Sequence, residues 1–324
     1  MEHFLSFERP IERAESKLRR AAWRMGQNHE DATQEYRDAF SQRERLRHTV
    51  YGALSAWDRV QLARHSNRPQ GHEAAAALFG ELDPVRGDRA CGDDDAIVTG
   101  IGRWRNQAVA VIGCARGRSQ RDARKRNFGM PSPSGFRKVI NLLDFAERHQ
   151  MPVISFVDTP GAYPGVESER QCIAGAISRL LWKQADVNTP TLGVILGEGG
   201  SGGALALAMA DRMIMMENAY FSVISPEACA SILWRDGAKT AVAASSLGLL
   251  PEDLLRFGIV DEIVSEPKGG AHRYPVEALC RLREVVDRHL DQLLASGEES
   301  DRRQQRYQKF RAYGTYATKT EESP

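Results

Sequence analysis

Three absences narrow the class of this 324-residue chain before any motif is considered. Cysteine is scarce: Cys91, Cys114, Cys172, Cys229 and Cys280 are odd in number, and no two stand at C-x-x-C spacing. Neither a zinc ribbon nor a disulfide framework is encoded, no metal is expected, and reduced thiols in a cytoplasm are the simplest reading. Long apolar runs are also missing. Even Ala204 to Met216 is cut by Asp211 and Arg212, short of the roughly 20 residues that span a bilayer. The opening MEHFLSFERPIERAESKLRR has charges where a secretory leader needs an apolar stretch, so a cytoplasmic protein that does not use the membrane is expected. The third absence is charge of one sign. With 44 Lys+Arg against 43 Asp+Glu the net charge is +1, which argues against a chain devoted to coating nucleic acid or an anionic surface.

What is present divides into three stretches. Residues 1–66 read as helices: Ile11, Ala14, Leu18 and Ala22 step by three and four, and Tyr36, Phe40, Leu46, Val50, Leu54 and Trp57 continue the pattern less regularly. Ten basic and nine acidic residues in the first 50 positions suit a salt-bridged, solvated helical extension, or a docking element for a partner. Over residues 67–295 short apolar runs alternate with helical patterns. Strands are expected at 96–102, 107–113, 152–158, 190–196, 212–218, 220–225 and 259–264, the first two as a hairpin. Helices are expected at 134–150, 167–184, 203–210, 226–235 and 276–294. That alternation predicts an α/β domain with largely parallel pairing. Residues 296–324 form a polar tail.

The chemistry concentrates in one turn. Six glycines lie between Gly193 and Gly203, and Gly197-Glu-Gly-Gly-Ser-Gly-Gly203 joins a strand to the helix ALALAMA. Such a turn leaves backbone N–H groups unpaired at a helix N-terminus, where they favour an anion or a developing negative charge. Three mechanisms fit. Gly197, Gly199 and Gly202 spell G-x-G-x-x-G, with Glu217 20 residues beyond Gly197 as a dinucleotide fold would want. Gly199, Ser201 and Gly203 spell the G-x-S-x-G elbow of a hydrolase, with Asp261 and His272 following in a permissible order. The amides of Gly202 and Gly203 can instead hold an oxyanion with no side-chain nucleophile. Against all three stands a purely structural reading, in which the glycines serve close packing.

A second strand candidate ends in Asp158-Thr-Pro-Gly-Ala-Tyr-Pro-Gly165. Two Gly-rich turns at the C-terminal ends of neighbouring parallel strands would converge on one pocket, where a dinucleotide site needs only one. Nearby, Arg116 to Arg126 carries six basic residues and one acid. It lacks the interleaved aromatics of a nucleic-acid patch, and clustered Arg beside a glycine-lined pocket suits phosphate or carboxylate groups.

Taken together, RNFGMPSPSGFRK (126–138), FVDTPGAYPGV (156–166), GEGGSGGALALA (197–208), SVISPEACASILW (222–234) and GGAHR (269–273) resemble the alpha subunit family of bacterial acetyl-coenzyme A carboxylase carboxyltransferase. The likeness runs in order through nearly the whole chain. It implies a crotonase-like α/β fold of repeated ββα units behind the N-terminal helical extension. It implies transfer of a carboxyl group from carboxybiotin, covalently held on a biotin carboxyl carrier protein, to acetyl-coenzyme A, giving malonyl-coenzyme A for fatty-acid synthesis. By the same resemblance, Gly202 and Gly203 supply the catalytic amides on the biotin side. Gly161, Ala162, Tyr163, Pro164, Gly165, Gly199, Gly200, Arg126 and Arg137 are expected to contact substrate. A beta chain with a zinc ribbon would supply the second oxyanion site and most coenzyme A contacts, in an assembly of two alpha and two beta chains. Two segments depart from the family pattern: Glu167-Ser-Glu-Arg-Gln-Cys-Ile173, and Cys114-Ala115 before Arg116-Gly-Arg118. They motivate the alternative of a specialised or non-catalytic paralogue that scaffolds a beta partner, beside the alternative of a Ser201 hydrolase.

Overall fold

In the computed structural model, the N-terminal stripe of small and apolar residues forms α1 (Arg9–Gly26), which packs against α2 (Ala32–Tyr51). The structure describes residues 3–27, 31–90, 92–295 and 299–314. The buried face of α1 is Ile11, Ala14, Leu18 and Ala21, so the stripe ends at Ala21 while Ala22 faces solvent. Phe40 on α2 is exposed as well: this helix buries only Ala32 and Arg47, which is why its apolar pattern is irregular. Two short helices, α3 (Ala56–Ala63) and α4 (Gly71–Phe79), carry the chain into the α/β layer, where α4 lies on three strands of the sheet.

The sheet begins with β1 (Asp83–Pro84) and the expected hairpin of β2 (Ile97–Trp104) and β3 (Gln107–Cys114), antiparallel with Trp104 opposite Gln107 and Ile97 opposite Cys114. After α5 (Gln120–Lys125) and α6 (Pro133–Arg148) the pairing turns parallel through β4 (Val153–Thr159). The helix expected over 167–184 is broken into α7 (Val166–Arg170) and α8 (Ile173–Asp186), because Cys172 adopts φ +59° and cannot carry the helix on. Then follow β5 (Thr191–Gly200), α9 (Ser201–Ala208), β6 (Arg212–Met216), β7 (Tyr220–Ser222), α10 (Pro226–Trp234), α11 (Thr240–Ser246), α12 (Pro251–Arg256), β8 (Glu262–Val264) and α13 (Pro275–Ala295). Strand order is β1-β2-β3-β4-β5-β6-β8, with β7 pairing the far end of β5. The ββα unit is complete in β2-β3-α6 and β6-β7-α10, and is reduced to strand and helix between them.

Every residue of β4 and β5 is buried, which is why these strands read as continuous apolar runs rather than alternating ones. The main core joins them to Phe136, Val139, Leu142 and Leu143 of α6 and to Leu282, Val286 and Leu290 of α13. Within the stretch expected as a polar tail, α14 (Glu299–Arg311) docks on the domain. Its Arg306 is buried, donating to the carbonyls of Gln184 and Val187 and pairing with Asp211. Cys91 and residues 315–324 lie outside the described residues. Among those described, no helix is long and apolar enough to cross a membrane.

Candidate functional site

The two glycine turns do meet. Pairing of β4 with β5 runs evenly to Val157 opposite Ile195, then shifts so that Thr159 faces Gly199. The extra length on β5 is a bulge, a device that redirects a strand end. It brings the Gly199–Gly200 segment against Pro160 and Gly161, at the C-terminal ends of two neighbouring parallel strands. A Cβ on Gly200 would fall 2.0 Å from the Pro160 carbonyl oxygen, and one on Gly203 would fall 2.5 Å from the Ala162 amide nitrogen. Only glycine permits that approach, so the packing explanation holds at these positions. It does not reach Gly202, where a Cβ would meet nothing nearer than Ile177 at 3.9 Å. Gly202 therefore borders open space.

The chain enters α9 through Ser201 at φ +53°, exposed between Gly200 and Gly202. The first-turn amides of α9 have no carbonyl one turn back to bond within the helix. They carry the positive end of the helix dipole and lie beside the open face of Gly202, an arrangement suited to an oxyanion.

Beneath the turn lies a charged network that the motifs did not reveal. The buried Glu198 of β5 receives Arg64 Nε at 2.9 Å on Oε1, together with the Tyr220 hydroxyl, and Arg116 Nη2 on Oε2. Arg64 also bonds Glu227 on α10 and the Tyr220 hydroxyl. Asp158, the acid closing β4, receives the Glu198 amide at 2.9 Å and pairs with Arg116 Nε at 3.2 Å. Burial works to raise the Glu198 pKa, but Arg116 and Arg64 outweigh it and hold the group below its ordinary range. Burial prevails at Asp158, whose pKa is raised against the opposing pull of Arg116. Glu198 is thus a fixed anion with its oxygens occupied, not a proton acceptor.

The remaining candidates separate. Gly161 and Ala162 border the turn contact, and Tyr163 is anchored by its amide to the Pro131 carbonyl at 2.9 Å; Pro164 is exposed. Gly199 and Gly200 are not in a loop but pair Phe221 and Ser222 of β7. The charges of Arg126 and Arg137 are engaged within the chain: Arg126 bonds Asp122 and the Asp95 carbonyl, and Arg137 bonds Asp88 and Gln171. In the basic segment, Arg118 pairs with Glu73 and Lys125 with Asp95.

The hydrolase triad does not assemble. Asp261 bonds the Met213 amide and Lys309, and Met213 pairs Gly193 near the start of β5. Ser201 follows the other end of that strand, eight residues beyond Gly193 and roughly 26 Å away at the rise of a strand. His272 bonds Glu8 at 3.3 Å and packs its ring 4.3 Å from that of His65, clasping the N-terminal segment. The dinucleotide reading fails too, since Gly199 is held in the sheet and the Glu217 carboxylate caps the Glu266 amide. Among the described residues no three His, Cys, Asp or Glu side chains cluster to hold a metal. Sequence reasoning gave no role to Glu198, Asp158 or Arg64. The available signal was an acid at the end of each fully apolar strand, where an unpaired charge is costly.

Residues 4–314 match the family model described as acetyl co-enzyme A carboxylase carboxyltransferase-like. The acetyl-coenzyme A carboxylase carboxyl transferase subunit alpha of Geobacter metallireducens is 44% identical over 313 residues, covering 97% of this chain and 98% of the relative. The same subunit of Thermus thermophilus is 43% identical over 316 residues, covering 97% and 99%. Among solved structures, transcarboxylase 12S aligns with a TM-score of 0.59 at 17% identity, covering 74% of this chain and 45% of that one. A Pseudomonas malonate decarboxylase hetero-tetramer in complex with coenzyme A aligns with a TM-score of 0.57 at 17% identity, covering 72% and 92%. These place the α/β architecture in the crotonase-like class. With the family model spanning nearly the whole chain, this protein belongs to the family of acetyl-coenzyme A carboxylase carboxyltransferase alpha subunits.

Proposed function

We propose that this chain is the alpha half of a two-chain carboxyltransferase that forms malonyl-coenzyme A from acetyl-coenzyme A. The carboxyl group would arrive as carboxybiotin on a biotin carboxyl carrier protein, the chemistry that group supplies when bound. The observation that carries the reading is the seating of Gly203 against Ala162, with Gly202 left open beside it. Amide donors with no side chain around them can approach a ureido oxygen closely, so the residues present fit the group.

In this reading the N–H groups of Gly202 and Gly203 receive the negative charge that develops on the ureido oxygen as the carboxyl group departs. They are already oriented by α9, so little reorganisation accompanies the reaction. Gly161 to Gly165 and Gly199–Gly200 shape the wall of the pocket. Arg126 and Arg137, paired with Asp122, Asp88 and Gln171, would meet substrate only with those partners in place. No side-chain nucleophile is required, and Ser201 contributes its backbone alone. The second oxyanion site and most coenzyme A contacts would come from a beta chain bearing a zinc ribbon, in an assembly of two chains of each kind. The test is co-purification with such a beta chain and assay of the complex with acetyl- and propionyl-coenzyme A. Turnover by the complex and none by the isolated chain supports the reading. A complex without turnover would favour a scaffold, and labelling of the isolated chain by a serine-directed acylating probe would favour a hydrolase.

A further inference from the structure

Arg116 is the one cation among the described residues that touches an acid from each of the two strand ends. Its Nε stands 3.2 Å from Asp158 Oδ2 at the end of β4, and its Nη2 bonds Glu198 Oε2 near the end of β5. Its stem is confined on the other side: a Cβ on Gly129 would fall 2.5 Å from Arg116 Cγ. Its own amide is held by Gln70 Oε1 at 2.9 Å. The side chain therefore has little freedom to follow either carboxylate if one moves.

Both carboxylates are buried, and each stands at the base of a turn. Asp158 accepts the Glu198 amide at the point where the pairing of β4 and β5 slips. Glu198 is held on its other oxygen by Arg64, which caps the C-terminus of α3, and by Tyr220 of β7. Three residues beyond Glu198 the chain turns at Ser201 into α9, where the oxyanion amides begin.

We propose that Arg116 is a positioning residue for the oxyanion turn, fixing the separation of the Pro160–Gly165 and Gly197–Gly203 turns by binding one carboxylate from each. The guanidinium suits this role because its nitrogens diverge in a rigid plane, so one cation satisfies two acids in set directions. Without it Asp158 loses its ion pair, Glu198 keeps only Arg64 and Tyr220 on its other oxygen, and the strand ends lose the cation that joins them. The turn amides then miss the position where charge develops. This inference rests on the carboxyltransferase reading, and the two fail differently.

The test uses the complex reconstituted with a beta chain and a biotinylated carrier protein, measuring kcat and the KM for acetyl-coenzyme A. Arg116→Met is expected to lower kcat about 100-fold, the cost of a displacement of about 1 Å at the reacting centre, with KM unchanged. Arg116→Lys, which keeps a cation between the acids but not the divergent plane, is expected to recover part of the loss. Adding Glu198→Gln to Arg116→Met removes one of the two acids that Arg116 joined and is expected to recover about tenfold, as for coupled groups in one network. Should Arg116→Met alone not fold, the double variant is read in its place. A kcat there below wild type with unchanged KM supports the proposal. Wild-type kcat in a folded Arg116→Met or in the double variant overturns the positioning role while leaving the carboxyltransferase reading intact. A wild-type complex that makes no malonyl-coenzyme A overturns the reading on which it rests.

Discussion

The amide of Glu198 donates a 2.9 Å hydrogen bond to Asp158 Oδ1, tying the ends of the two central strands together side chain to backbone. The two glycine turns leave the sheet from this tie. Its consequence is that the turns move as one unit, and that crowding either one disturbs both.

Gly203→Ala tests the crowding. The added methyl would stand 2.5 Å from the Ala162 nitrogen, with backbone rather than a flexible side chain as the obstacle. Destabilisation of about 1–3 kcal/mol is expected, as for overpacked sites, measured by urea titration of the isolated chain. The activity of the complex should fall with it.

Ser201→Gly separates the backbone role of this residue from a nucleophilic one. Ser201 sits at φ +53°, which glycine adopts without strain. The variant should be as stable as the parent or more so, and the complex should keep its transfer activity. A serine-directed probe should label neither protein.

Stability should fall in two steps on acidification. Burial, with His272 beside it, holds the His65 pKa down to about 4, and burial moves His272 in the same direction. Both imidazoles are neutral in the folded state and bind protons on unfolding, so stability is lost as pH falls from about 6.5 to about 4. Glu8 and Glu266 resist burial through His272, Tyr51 and Arg273 in the first case and Arg68 in the second, and both lie at about 2. Their contribution is present above the ordinary carboxylate range and is lost as pH falls toward 2. Denaturant titrations at a series of pH values should show both windows, and His65→Gln should flatten the upper one.

Arg306→Met should free α14. Arg306 is 2% exposed, bonds the carbonyls of Gln184, Ala185, Val187 and Thr189, and pairs with Asp211, whose side chain is largely covered. Removing one partner of a buried ion pair costs about 3–5 kcal/mol. A lowered melting temperature and early proteolytic cleavage within 299–311 are the expected readouts.

The strands and the meeting of the turns were legible because their signals are local. An apolar run closed by a glycine-rich turn identifies a parallel strand end, and two of them indicated where the turns meet. The break at Cys172 was not legible, since its only cause is a positive φ at a residue that seldom adopts one. Nor was the exposure of Phe40, because an apolar residue on a long surface helix reads the same whether it is packed or not. The network of Arg64, Arg116, Asp158 and Glu198 joins residues up to 134 positions apart, and sequence spacing holds no record of such pairing. The resemblance implied that Arg126 and Arg137 contact substrate; in the structure they pair with Asp122 and Asp88, partners that no motif indicates.

The central claim is that the amides beginning α9 receive charge in the reaction, and Gly202→Val tests it most directly. The position is open, so valine should fold there while blocking access to the amides. With the complex still assembled, malonyl-coenzyme A formation should fall about 10²–10³-fold, the cost of losing one oxyanion donor. An unchanged rate in the assembled Gly202→Val complex would contradict the account.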